Sequence, residues 1–330
     1  AESLTTAEEA TELAREAGEL AAEAEALRLQ GVMHWRLGGY NAALLTLEQS
    51  LNIYQGLGES EGLTSVTRNI GNVYSSIADY RRALEYHTRA RRLCEKIGDR
   101  TGIAAATMNI GSVYWHLSDY KRAMEHNTAA LVLYEELSDR SGIARCYGSI
   151  ASVHTFLGDY RRALESYTRA LALHEELGER SGVAGVVGNI GIIYNAIAEY
   201  SQALEYGMNA LALREELNDR SGVASALGSI GYVYYNLSDY GRALEYFVRS
   251  IDLFEVLGER ANIATSTMNI GNVYANLMEY QKALEYYARA LELHELLGAQ
   301  SGVALVSGNI GTSYWRLAEY PKALEYFTRA

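Results

Sequence analysis

The sequence predicts an all-α solenoid of antiparallel helix pairs, and three observations carry that prediction. Tyrosine recurs every forty residues, at Tyr40, Tyr80, Tyr120, Tyr160, Tyr200, Tyr240, Tyr280 and Tyr320. Alanine follows each of them by three positions, from Ala43 to Ala323. No insertion breaks this register in 330 residues. A fixed period of this length means stacked units, each packing on its neighbours.

Residues 1–20 read as a partial repeat or cap. Within them, 7–17 resemble the tail of a second helix, with Thr6 and Glu9 as its capping box. Full repeats follow over 21–60, 61–100, 101–140, 141–180, 181–220, 221–260 and 261–300, and 301–330 is a truncated one. The unit 21–60 is irregular: Gln30 stands where later units have isoleucine, and Leu45 where they have glutamate. It can serve as an N-terminal cap. Ala330 falls in mid-helix without a polar closing helix, so the expectation is excision from a longer protein, with a frayed natural terminus as the alternative.

The unit 61–100 shows how each element arises. Leu63, Val66, Ile70, Val73, Tyr74 and Ile77 recur at three- and four-residue spacing, a helix period. Asp79 offers an N-cap oxygen for a second helix from Tyr80. Its apolar stripe runs Ala83, Leu84, Tyr86, His87, Ala90, Leu93 and Ile97. Gly98 fits a left-handed closing residue, as do Gly178, Gly258 and Asn218, whereas Ser138 in the same slot has no such advantage. Asp99 then caps the next first helix. Short turns between two helices make an antiparallel pair.

Gly71 recurs as Gly111, Gly191, Gly231, Gly271 and Gly311. The expectation is that it faces Ala83 and its equivalents, bringing two helix backbones close. Tyr74, Tyr114, Tyr194, Tyr234, Tyr274 and Tyr314 are expected in the core with hydroxyls at the edge. Glu85–Arg89, Glu165–Arg169, Glu245–Arg249 and Glu285–Arg289 are expected as i,i+4 pairs on the solvated face.

A formal net charge of -12 argues against general binding to nucleic acid or anionic membrane. The N-terminal stretch is acidic and alanine-rich, not a signal peptide, and no run has the length of a membrane span, so the reading is cytoplasmic. Cys94 and Cys146 lack CxxC spacing and read as buried apolar fillers. The seven histidines follow repeat positions, and none has a zinc-helix spacing. His174 and His294 share one slot. No catalytic grouping stands out, so neither enzymatic activity nor a cofactor is expected.

The segments Asn69-Ile70-Gly71-Asn72-Val73-Tyr74, Asp79-Tyr80, Ala83-Leu84-Glu85-Tyr86 and Arg89-Ala90 resemble a tetratricopeptide repeat (TPR). The likeness recurs in every unit. The forty-residue form, ending Gly-Asp-Arg-Ser-Gly or a close variant, is longer than the common TPR unit of 34. It resembles Pins-type scaffolds and bacterial TPR arrays fused to signalling enzymes. The resemblance implies a right-handed superhelix whose first helices line a concave groove. It places Asn69, Asn109, Ser149, Asn189, Ser229, Asn269 and Asn309 in one groove row. Such carboxamides could bond an extended peptide or tie neighbouring helices together. Adjacent rows are mostly small, with Met108, Gly148, Gly188, Gly228, Met268 and Gly308 in one, and Ser65, Ala105, Gly185, Ser225 and Thr265 in another. Trp35, Trp115, Tyr235 and Trp315 are either aromatic anchors or plugs at the groove edge. Some chaperone-binding TPR domains hold a partner's C-terminal carboxylate, and the matching positions are Arg68, Asn72, Asn109 and Arg145. Ser149 stands where a further basic residue belongs, so that match is incomplete.

Three functions fit this reading. The first is a non-enzymatic module binding an extended peptide or helix in the groove. The second is a regulatory array controlling an effector domain outside this sequence. The third is a scaffold that forms homo-oligomers through its ends.

Overall fold

In a computed structural model the backbone is described for residues 2–330 and the side chains for residues 4–330. The described residues form seventeen α-helices and no strand. They divide into two compact units, residues 1–173 and 174–330. The first holds α1 (Glu2–Ala17), α2 (Leu20–Arg36), α3 (Tyr40–Leu57), α4 (Ser60–Ser76), α5 (Tyr80–Ile97), α6 (Arg100–His116), α7 (Tyr120–Glu136) and α8 (Arg140–Phe156). The boundary falls within α9 (Tyr160–Glu176). The second holds α10 (Arg180–Ala196), α11 (Tyr200–Glu216), α12 (Arg220–Asn236), α13 (Tyr240–Leu257), α14 (Arg260–Asn276), α15 (Tyr280–Leu296), α16 (Gln300–Arg316) and α17 (Tyr320–Arg329).

The turns obey a shorter period than the sequence does. A residue with φ between 54° and 78° closes a helix every twenty positions, from Gly18 to Ala318. Gly98, Gly178, Gly258, Asn218 and Ser138 all adopt it, as their slot requires. So do Ala78, Ser118, Ala198, Ser238 and Met278 in the turns inside repeats, where the sequence gives no glycine signal. Backbone bonds hold them in place: Asp79 N–H donates to the Tyr74 carbonyl at 3.0 Å and Ala78 N–H to Ser75 at 3.1 Å. Local strain is thus offset by satisfied helix-end carbonyls. Asp79, Asp99, Asp119, Asp139, Asp219 and Asp239 each accept a backbone N–H three residues on, capping the next helix. Glu59, Glu199 and Glu279 in the same slot make no such bond. The pairing of Thr6 with Glu9 as a cap is overturned, because α1 is already helical from Glu2 and Thr6 lies inside it.

Two glycine seats recur along the repeats. At the first, a second-helix side chain lies over the recurring first-helix glycine: Leu47 on Gly31, His87 on Gly71, Phe247 on Gly231, Tyr287 on Gly271 and Phe327 on Gly311. At the second, a side chain late in a second helix lies over a glycine in the first turn of the next helix. Tyr134 on Gly142, His174 on Gly182 and His294 on Gly302 are examples. The expected facing of glycine and alanine is therefore corrected. Ala83 is fully buried, but the residue four positions further on fills the space over Gly71. Positions i and i+4 share a helix face, so both project toward the same neighbour. At Gly111 and Gly191 the expected close approach does occur, a Cβ there lying 3.3 and 3.4 Å from the Ala123 and Ala203 carbonyls.

The recurring tyrosines stack on second-helix rings and under a cation. Tyr74 lies 5.4 Å from Tyr86, and the Arg82 guanidinium 4.5 Å from the Tyr74 ring centre. Tyr274, Tyr286 and Lys282 repeat the arrangement. Tyr74 and Tyr234 are buried, and the others are half-buried. The i,i+4 pairs expected at Arg169, Arg249 and Arg289 give way to other partners. Arg289 bonds Glu255 of the preceding repeat at 2.7 Å, while Arg169 and Arg249 lie over Tyr147 and Tyr246. A flexible arginine gains more from a ring or a neighbouring repeat than from a solvated pair on its own helix.

Candidate functional site

Successive first helices sit side by side, α2 with α4 and α6 with α8 in one unit, α10 with α12, α14 and α16 in sequence in the other. Their shared wall carries the carboxamide row. Where the preceding repeat also has asparagine three positions after its own member of the row, the amides bond each other. Asn109 Nδ2 donates to Asn72 Oδ1 at 3.3 Å, and Asn309 Nδ2 to Asn272 Oδ1 at 3.1 Å. Asn69 is buried, its Nδ2 without a partner among the described residues. Asn189 and Asn269 are half-buried and line a cavity instead.

Arg68, Asn72, Asn109 and Arg145 lie in one unit, but only the two asparagines are bonded to each other. Arg68 is close enough to His87 and Cys94 to act on their titration. Arg145 is exposed on α8, 5.7 Å from the Tyr134 ring centre.

The edge aromatics mostly join first helices of adjacent repeats. Trp35 Nε1 donates to Ser76 Oγ at 2.8 Å, and Asn276 Nδ2 to the Tyr235 hydroxyl at 2.6 Å. Trp115 meets Phe156 edge-on at 5.0 Å. Trp315 is half exposed beside Arg316.

A cavity of about 770 Å³ lies in the second unit. Its wall combines α10, α12 and α14 with α11 and α13 behind them. The rim residues Ile192, Ser225 and Tyr232 are exposed, so it opens on the wall of first helices. Its volume lies in the range that pockets for small ligands occupy. Three groove rows named from sequence contribute Gly188, Gly228, Ser225, Asn189, Ser229 and Asn269. Missed there were Gly207 and Arg214 on α11, and Asn195 and Asn236, which bond each other at 3.0 Å. Gly207 carries a legible signal, because it is the one glycine in a column holding Leu47, His87, Asn127, Tyr167, Phe247, Tyr287 and Phe327. Comparison down the second-helix column, rather than along the first-helix rows, would have found it. A smaller cavity, about 320 Å³, lies by Asn309, Tyr287 and Arg316.

The remaining polar chemistry is structural. Burial pushes the Cys94 thiol up to about 11 and that of Cys146 up to about 12, so both stay protonated at neutral pH. No group of three His, Cys, Asp or Glu side chains fit to hold a metal ion occurs among the described residues. No described helix is long and apolar enough to cross a membrane.

Stacked antiparallel helix pairs define an α-solenoid. A family model for the tetratricopeptide repeat matches residues 102–176, 183–255 and 262–330, and a second matches 67–101. The chain belongs to the tetratricopeptide repeat family. A comparison with curated protein sequences finds no match. Among solved structures the chain is similar to a Rap protein complexed with Competence and Sporulation Factor, at 18% identity and a TM-score of 0.71, over 92% of this chain and 85% of that one. The apo form of the quorum sensor NprR from B. thuringiensis is 16% identical with a TM-score of 0.69, over 96% of this chain and 90% of that one. The Rap conjugation gene regulator of plasmid pLS20 in complex with the Phr* peptide gives 17% and 0.67, over 83% and 74%. At these identities the likeness is one of fold. It runs to Rap and NprR proteins, and the expected similarity to Pins-type scaffolds is not shown.

Proposed function

We propose that the protein is a non-enzymatic interaction module that binds an extended peptide along the first helices α10, α12 and α14. One observation carries the reading: a cavity of about 770 Å³ opens on that wall, flanked by the Asn189 and Asn269 carboxamides. Each amide offers a donor and an acceptor to peptide main chain. The Rap structures solved with Competence and Sporulation Factor and with the Phr* peptide support this use of a similar fold. The test is a solution library of octapeptides, each position fixed in turn, screened against the full chain. Selective binding should slow hydrogen exchange in α10, α12 and α14 and weaken in Asn189→Ala/Asn269→Ala. Absence of any selected position sinks the proposal.

In the first unit, Arg68, Asn72, Asn109 and Arg145 are a separate proposed site for a peptide's terminal carboxylate. A carboxylate there would displace the Asn109–Asn72 bond and gain charge-assisted bonds in return. Equal affinity for a free-acid peptide and its amide rules it out.

A further inference from the structure

The repeat 181–220 departs from the others at both of its glycine seats. At the first, Gly207 stands opposite Gly191, and no ring fills the space over that glycine. The atoms nearest a Cβ placed on that glycine are Tyr206 Cβ, the Ala203 carbonyl and the Gly207 nitrogen, at 3.3–3.4 Å. At the second, Arg214 occupies the place held by Tyr54, Tyr134 or Phe254 in other repeats. The two departures act together. The missing ring lets the cavity reach back to α11, and the arginine puts a cation on its wall.

Arg214 is the only charged residue that lines the cavity. Its Nε is buried and bonds nothing among the described residues. Asp219 comes no nearer than 3.8 Å to Nη1, beyond hydrogen-bond distance, while its other carboxylate oxygen accepts the Gly222 N–H at 2.9 Å. That carboxylate thus pairs loosely with Arg214 through one oxygen while the other caps α12. The rest of the lining is small, apolar or amide. A flat guanidinium can fill a ring seat as a tyrosine does, but only the guanidinium brings a charge, here with a buried N–H left unbonded.

We propose that this cavity is an acid-selecting side pocket of the groove. It takes the carboxylate side chain of an aspartate or glutamate in the bound peptide, with Arg214 as its charge partner. A carboxylate matches the fork of guanidinium donors, and in a protein of net charge -12 a site lacking any acid in its wall singles out anions locally. The volume exceeds one side chain, so a short stretch of main chain enters with it. This inference rests on the peptide-binding reading above.

The experiment uses the full chain and N-acetylated, C-amidated octapeptide pools in which one position is fixed as Glu, Asp, Gln or Asn. Blocked termini leave the fixed residue as the only systematic difference in charge. At one position the acid pools should bind about tenfold or more better than the amide pools. Arg214→Gln should abolish that preference and leave preferences at other positions in place. Gly207→Phe, which restores the ring carried by the next repeat, should also abolish it by filling the cavity. Helicity and unfolding midpoint are checked for both variants, and Arg214→Lys, which keeps the charge, should retain part of the preference. Acid pools that bind no better than amide pools, with other preferences intact, overturn this inference and leave peptide binding standing. An acid preference that survives Arg214→Gln overturns it as well. If no pool is selected at any position, the inference and the peptide-binding reading fall together.

Discussion

The phenol ring of Tyr287 lies over Gly271, its Cδ1 2.6 Å from the place a Cβ would take there. The ring is almost fully buried, and the close approach is possible only because the first helix presents no side chain at that point. The same relationship, with different occupants, sets the spacing within most helix pairs of this chain.

The first prediction compares two glycines. Gly271→Ala forces a methyl into the Tyr287 ring and should cost about 1–3 kcal/mol, despite the gain of nearly 1 kcal/mol that alanine brings to a helix. Gly191→Ala meets its nearest atom at 3.3 Å and should be close to neutral. Gly191→Leu should again destabilise, because its larger side chain presses on α11. Urea unfolding of the three variants checks the order. Equal losses for the two alanine variants would show that ring seating does not set the cost.

The second concerns pH. His87 is buried on Gly71, its Nδ1 unbonded and its Nε2 3.5 Å from Ser75 Oγ. Burial, helped by the Arg68 charge, lowers its pKa from 6.5 to about 4. Between those values the unfolded chain binds the proton and the folded one does not, so stability falls as pH drops from 6.5 towards 4. Above pH 6.5 the contribution is fully present. The loss attributable to His87 should approach about 3 kcal/mol at the acid end. His87→Phe, which imitates Phe247 on Gly231, should flatten that part of the profile. A parallel acid profile in the variant would place the titration elsewhere.

The third prediction uses the turns. Met278 holds φ at 62° and is strongly exposed, so its side chain contributes little packing to offset a left-handed backbone. Met278→Gly should raise stability by about 1 kcal/mol, the typical penalty of that conformation less glycine's extra unfolded-state freedom. The thermal midpoint reads it directly. A lower midpoint would mean that Met278 makes an unrecognised contribution.

The helices were legible because their causes are local. Asp79 and Asp99 are caps by chemistry, and the stripe from Val66 to Tyr74 is a helix period. The left-handed turns at Ala78 and Met278 were not legible, since tertiary packing imposes them on residues with no preference for that backbone. At the candidate site, Asn189 and Asn269 were found along a first-helix row. Gly207 and Arg214 were not, because their meaning comes from what they replace. A glycine looks harmless until the ring missing from its column leaves a cavity.

The last prediction separates tie from ladder at Asn272. Its Oδ1 accepts from the Tyr287 hydroxyl at 2.8 Å and from Asn309 Nδ2 at 3.1 Å. Asn272→Ala leaves a deeply buried phenol without an acceptor, which should cost about 1–3 kcal/mol. Tyr287→Phe removes the donor as well, so its single loss should be smaller, about 1 kcal/mol. In the double variant no buried hydroxyl remains stranded. Its loss should therefore fall short of the sum of the two single losses by about 1 kcal/mol, the signature of coupled partners. Strict additivity in urea unfolding would mean that the phenol finds water or another partner. Asn272 would then be free to serve a bound peptide, as a groove ladder requires.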